Sequence, residues 1–204
     1  FSTNSIIAQN SSQSEKIIIK DREFITLSTN IDRYFKAIKS NLKMTLGGSK
    51  INFKNVVNNS NLREVKNLSA NYGFELRSGF RGFFNYHIGS KWNYNQVKTT
   101  IENSYTDNLS FLDLSLIFSD KFNIQVQSER YYFGNLSSKS NTYYFLDLEA
   151  RYVVKENKLT FSLSGNNLFD TKTFKTYSIS DIAISQTEYR LMPRYVLLKM
   201  EFRF

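Results

Sequence analysis

Hydrophobic and polar residues alternate with a period of two along most of this chain. In the last segment Val196, Leu198, Met200, Phe202 and Phe204 alternate with Leu197, Lys199, Glu201 and Arg203. Successive side chains of a strand point to opposite faces, so one face here is greasy and the other mostly charged. A helix would spread those charges over all of its sides. The pattern recurs upstream, where Leu146, Leu148, Ala150 and Tyr152 alternate with Asp147, Glu149 and Arg151. It returns less cleanly in Leu159–Leu163, Phe122–Val126 and Leu112–Phe118. Further copies lie in Phe84–Trp92, Ala70–Leu76, Leu42–Leu46 and Ile25–Leu27. These runs predict nine strands, spaced as in an up-and-down antiparallel sheet.

The connections predict an orientation. Short links fall near Phe35–Lys39, Ser78–Gly82, Ser119–Lys121 and Lys155–Lys158; longer polar ones fall at about Lys54–Lys66, Asn95–Asn108, Gly134–Asn141 and Asn167–Glu188. Short turns on one side and long loops on the other are how outer-membrane barrels are built, the short ones being periplasmic. The last strand then runs toward the periplasm. Residues 1–20 fall on the extracellular side, as a loop or the end of a preceding strand. A closed bacterial barrel normally has an even strand count, so nine strands read as part of a longer chain. The first residues, Phe1-Ser2-Thr3-Asn4, carry neither an initiator Met nor a signal segment, which reads as a mature or truncated start.

Composition sharpens this picture. Aromatic residues make up 16% of the chain, and there is one proline, so strand formers are enriched and breakers scarce. Aromatics gather at strand ends, with Tyr34, Phe35, Phe80, Phe83, Phe118 and Phe122 beside the short turns. Trp92, Tyr94, Tyr131, Tyr132, Tyr143 and Tyr144 lie toward the loops, as two interfacial girdles require. The net charge of +9 comes from lysines and arginines scattered singly among Asp and Glu, which argues against nucleic acid and for a hydrated face. Basic groups near a rim can meet anionic lipid headgroups. No stretch approaches the roughly 18 apolar residues of a membrane helix. The chain has no cysteine and one histidine, His87, which leaves no metal centre and no nucleophile setting to expect. Gly47-Gly48 lacks the context of a phosphate loop and predicts a bulge or bend in the strand instead. Asn166-Asn167-Leu168-Phe169-Asp170 predicts a tight turn with side chains capping the backbone.

Four stretches carry a resemblance. Leu163-Ser-Gly-Asn-Asn-Leu-Phe-Asp170, followed by a loop and Pro193-Arg-Tyr-Val-Leu-Leu-Lys-Met-Glu-Phe-Arg-Phe204, resembles the C-terminal end of TonB-dependent outer-membrane receptors. Arg77–Tyr86 and Ser128–Gly134 are similar to the subgroup of Bacteroidota whose members often carry an N-terminal carboxypeptidase-regulatory-like domain. The resemblance covers essentially the whole chain. It implies an all-β fold, an antiparallel up-and-down transmembrane β-barrel, with residues 1–204 forming about nine C-terminal strands of a 22-stranded whole. It implies a transporter that imports a scarce ligand across the Gram-negative outer membrane, with no catalysis and no cofactor. The plug domain, the TonB box and the remaining strands of such a receptor are absent from this sequence. Implied partners are outer-membrane lipid and lipopolysaccharide, that plug and those strands, the TonB complex, the barrel-assembly machinery and a surface lipoprotein.

In that family the closing strand with its aromatic end is similar to the signal read during barrel assembly, which assigns Leu198, Met200, Phe202 and Phe204 to it. Here the alternation predicts that Glu75, Arg77, Asp113, Glu129, Asp147, Glu149, Arg151, Lys199, Glu201 and Arg203 face a lumen. A charge at the bilayer midplane costs about 2–4 kcal/mol, so they belong on the hydrated side. Two other readings stay open: a structural subunit or client of an outer-membrane complex, and a small standalone barrel. A soluble β-protein is the remotest, because it leaves these apolar faces in water.

Overall fold

The computed structural model describes residues 3–8, 14–19, 22–56, 62–79, 82–138, 140–156 and 158–203. Strands dominate it, and no α-helix occurs among the described residues. Two strands, β1 (Thr3–Ala8) and β2 (Ser14–Ile19), pair with each other as an antiparallel hairpin. The main body is a nine-stranded antiparallel sheet. It comprises β3 (Glu23–Phe35), β4 (Ser40–Asn55), β5 (Arg63–Ser78), β6 (Phe84–Lys98), β7 (Glu102–Ser119), β8 (Phe122–Phe133), β9 (Thr142–Lys155), β10 (Leu159–Asn166) and β13 (Tyr195–Phe202). A second hairpin, β11 (Thr173–Ile179) with β12 (Ile184–Arg190), interrupts the connection from β10 to β13. Each strand of the main sheet pairs with the next in sequence, so the sheet is up-and-down throughout and contains all nine predicted strands. Among the described residues the sheet does not close on itself; β3 and β13 are its edges.

The register fixes the two faces. Directly opposed residues in an antiparallel pair share a face. The chain of partners Asp32, Lys43, Glu75, Gly89, Phe111, Glu129 and Phe145 therefore marks one face. The chain Ile31, Met44, Phe74 and, across the sheet, Leu112, Ser128 and Leu146 marks the other. The first is polar and the second apolar, and a slip of one residue in any strand would exchange them. No described element covers the apolar face. Leu27 is 73% exposed at one edge, Leu198 66% at the other, and Phe74 still 42% in the middle. The cores of soluble sheets do not look like this. Fully buried side chains are few, Val65 and Asn85 among them.

Strand length bears on the apolar face. β4 and β5 have 16 residues each and β7 has 18. Their apolar stretch does not run the whole length: at the loop end the apolar face turns polar through Lys50, Asn52, Glu64, Lys66, Gln96, Lys98 and Glu102. There Lys98 pairs with Glu102 at 2.9 Å, and this hydrogen bond, helped by one from Gln96, holds the Glu102 carboxyl below the usual range.

Four expectations need correction. The link expected to run from Asn95 to Asn108 is only residues 99–101, because β6 and β7 continue through the polar run; Asn, Gln and Ser suit a strand both of whose faces are wet. The link at Lys54–Lys66 is likewise shorter, residues 56–62. Gly47 and Gly48 form no bulge, since β4 keeps register with both neighbours through them. Gly47 leaves room instead: a Cβ there would sit 2.5 Å from Asn71 Oδ1. The long connection Asn167–Glu188 is largely ordered as β11 and β12.

Candidate functional site

The polar face is the part of the molecule with the most chemistry. Of the ten residues predicted to point to a lumen, Glu75, Arg77, Asp113, Glu129, Asp147, Glu149, Arg151, Lys199 and Glu201 occupy this single face by register. Arg203 follows β13 and lines a cleft of about 310 Å³ at the short-turn end with Arg151 and Glu201. Asp120, Glu156 and Lys158 complete that mixed-charge lining.

Near the centre, His87 lies between two carboxylates. Its Nε2 is 3.2 Å from Glu75 Oε2 and its Nδ1 3.4 Å from Asp113 Oδ2. Lys91 reaches the other oxygen of Glu75 at 2.9 Å. Phe111 stands edge-on to His87 with centroids 4.8 Å apart, filling the space left by Gly89. A Cβ on Gly89 would come within 2.6 Å of that ring. The groups are mutually compensating, as a hydrated charged wall requires. Among the described residues no cluster of three or more His, Asp or Glu has the arrangement of a metal site.

At the loop end this face is crossed by the β11–β12 hairpin, which the alternation in the main strands did not reveal. The root of the hairpin is the Asn166–Asp170 turn. Asn167 and Asp170 both adopt positive φ, 51° and 55°. Asn167 Nδ2 donates to the carbonyls of Thr171 (2.9 Å) and Met192 (2.8 Å), and its Oδ1 accepts from Thr171 N–H at 2.9 Å. Asp147 Oδ1 accepts from Asn167 N–H at 2.7 Å, which ties the turn to β9. Asn tolerates this left-handed conformation and bonds its own backbone, so the capping read from the sequence holds.

Beyond the root, Phe174 packs into an aromatic cluster with Tyr131, Phe133, Tyr143 and Phe145, at centroid distances of 5.1 to 5.8 Å. At the tip, Asp181 meets Arg63 at 3.2 Å, the Arg63 guanidinium also donates to the Asp181 carbonyl at 2.8 Å, and Asn55 donates to the Asp181 carboxylate. Asn55 is the last residue of β4 and Arg63 the first of β5, so the hairpin reaches from one edge region of the sheet nearly to the other. We call it the strap. Asp107 and Tyr105 lie at this end of β7. Burial pushes the Asp107 carboxyl up, against the pull of a hydrogen bond from Gly134 N–H. Burial, with the nearby Asp107 and Tyr177, raises the Tyr105 phenol.

The strap corrects the aromatic girdle at the loop end. Tyr131 and Tyr143 face the polar side, where they hold Phe174; Trp92, Tyr94, Tyr132 and Tyr144 face the apolar side. At the turn end Phe83 meets Phe118 edge-on at 5.0 Å, Phe118 stacks on Phe122 at 5.0 Å, and Phe122 contacts Tyr152 at 6.3 Å, whereas Tyr34, opposite Asn41, faces the polar side. Phe80 lies outside the described residues. Of the residues assigned to an assembly signal, Leu198, Met200 and Phe202 share the apolar face, opposed by Leu163, Phe161 and Leu159 of β10. Phe204 lies outside the described residues.

The residues missed from the sequence are Phe174, Asp181, Arg63 and Asn55. A weak signal existed in Phe174-Lys-Thr-Tyr-Ser-Ile179, a short β-prone run between turn residues. In comparisons with protein-family models, curated proteins and solved structures, nothing matches this chain.

Proposed function

We propose that these residues form the C-terminal wall of a transmembrane β-barrel in the bacterial outer membrane, and that the barrel is a TonB-dependent receptor importing a scarce ligand. The observation that carries the membrane part is the apolar face, covered by no described element and exposed on eight of the nine strands, opposite a charged one. A bilayer gives the apolar face an apolar solvent, and a lumen gives the charged face water. The open edges β3 and β13 suit pairing with further strands, which removes their unpaired backbone groups from hydrocarbon. The receptor part rests on the sequence resemblance, supported by a wall whose charged side suits polar contact with a plug and whose loop end carries a strap. The same open edges suit a second reading, a subunit within an outer-membrane assembly.

The test is uptake. The segment encoding these residues is deleted, and uptake of a labelled iron chelate, cobalamin, oligosaccharide and peptide is measured with and without inner-membrane energy. Loss of energy-dependent uptake of one class is the expected result. Unchanged uptake of all four overturns import and leaves the assembly reading.

A further inference from the structure

A hydrogen-bonded polar notch interrupts the apolar face on β6, β7 and β8. Ser90 on β6, Asn108 and Ser110 on β7 and Arg130 on β8 all lie on it by register, among Trp92, Tyr132, Tyr144 and Phe74. They form one hydrogen-bonded unit. Ser90 and Ser110 hydroxyls are 2.8 Å apart, Asn108 Nδ2 donates to Ser90 Oγ at 2.9 Å and to the Lys91 carbonyl at 3.0 Å, and Ser110 Oγ donates to Asn108 Oδ1 at 3.0 Å. Ser90 and Asn108 are buried. Arg130 Nη1 donates to the same Asn108 Oδ1 at 3.1 Å, and its guanidinium stands 5.9 Å over the Tyr132 ring. No carboxylate among the described residues pairs with it. Four of the five donors of this guanidinium therefore have no partner among the described side chains, while a buried amide fixes where they point.

The notch lies at the loop-side margin of the apolar band on β8, above Ile124 and Val126 and three residues before the strand ends at Phe133. An uncompensated cation among apolar side chains requires an anion of matching depth. We propose that Arg130, held by Asn108, is a binding site for the phosphate of an outer-leaflet lipid headgroup, with Tyr132 and Tyr144 flanking it. A guanidinium takes two phosphate oxygens at once, which a lysine cannot. This rests on the reading that the apolar face is in a membrane.

Trp92 provides the probe, because it is the chain's single tryptophan and sits directly across from Asn108 in the register. The barrel that contains this chain, with any tryptophan outside it replaced by phenylalanine, is reconstituted into phosphatidylcholine vesicles in which either the phosphatidylcholine or an admixed phosphatidic acid carries bromine, and Trp92 quenching is measured. The site predicts severalfold stronger quenching per mole by brominated phosphatidic acid. That preference is abolished by Arg130→Gln and reduced by Arg130→Lys, and it persists in excess inorganic phosphate. Quenching without preference overturns the site while leaving the membrane reading intact. A preference removed by inorganic phosphate overturns the lipid assignment in favour of a free-phosphate site. Absence of quenching by either lipid overturns the membrane reading and the site with it.

Discussion

At the scale of single residues, the two faces make opposite demands on neighbouring positions. Leu148 and Glu149 are adjacent on β9 and point to opposite sides. In a bilayer Leu148→Arg is expected to destabilise by about 2–4 kcal/mol, as for a cation placed at mid-depth. Glu149→Gln, on the wet side, is expected to cost under about 0.5 kcal/mol. Denaturant unfolding from lipid vesicles measures both, and equal costs would remove the distinction between faces. Gly89 illustrates a demand that alternation cannot express. Its lack of a side chain admits the Phe111 ring, so Gly89→Leu is expected to cost about 1–3 kcal/mol through overpacking. Adding Phe111→Ala should recover part of that loss in the same assay; no recovery would place the strain elsewhere. The faces were legible in the sequence because period two is a local property of each strand. The use of Gly47 and Gly89 was not, because their neighbours, Asn71 and Phe111, come from other strands.

At the scale of elements, the strap is held by two different forces. Phe174 is seated among four rings and contributes apolar burial. The Asp181 tip is held by a partly exposed ion pair with Arg63, whose contribution salt weakens. Asp181→Ala is therefore expected to free the tip while leaving the root in place, and Phe174→Ala to loosen the whole hairpin. Limited proteolysis at 180–184 should rise modestly for the first and strongly for the second; the reverse order would mean that the ion pair, not the cluster, anchors the strap. Asp107 adds a pH dependence of known sign. Its folded-state carboxyl is raised by burial, so its protonation is favoured by folding. As pH falls from neutral through that raised range, it should stabilise this end of the molecule, and Asp107→Asn should remove the effect. Cleavage measured against pH in the Asp181→Ala background separates it from the ion pair. Nine strands were readable because each alternates apolar and polar residues with period two. The strap was not: β11 and β12 are seven residues each, and their pairing with one another is stated nowhere in their own periodicity. The connection 99–101 was misjudged for the complementary reason, since β6 and β7 stay paired through a run in which both faces are polar and so lose the greasy face by which strands are recognised.

At the scale of the whole molecule, everything proposed depends on what lies against each face of the nine-stranded sheet. The absence of cysteine allows a nitroxide to be placed one position at a time. The most direct measurement is a scan of β9 from Phe145 to Tyr152 in native outer membranes, recording collision of each label with oxygen and with a water-soluble nickel chelate. The account predicts two out-of-phase oscillations of period two, with oxygen highest at Leu146, Leu148, Ala150 and Tyr152 and the chelate highest at Asp147, Glu149 and Arg151. Chelate access of equal strength at both sets would contradict it, because the apolar face would then be in water or against protein and not in lipid.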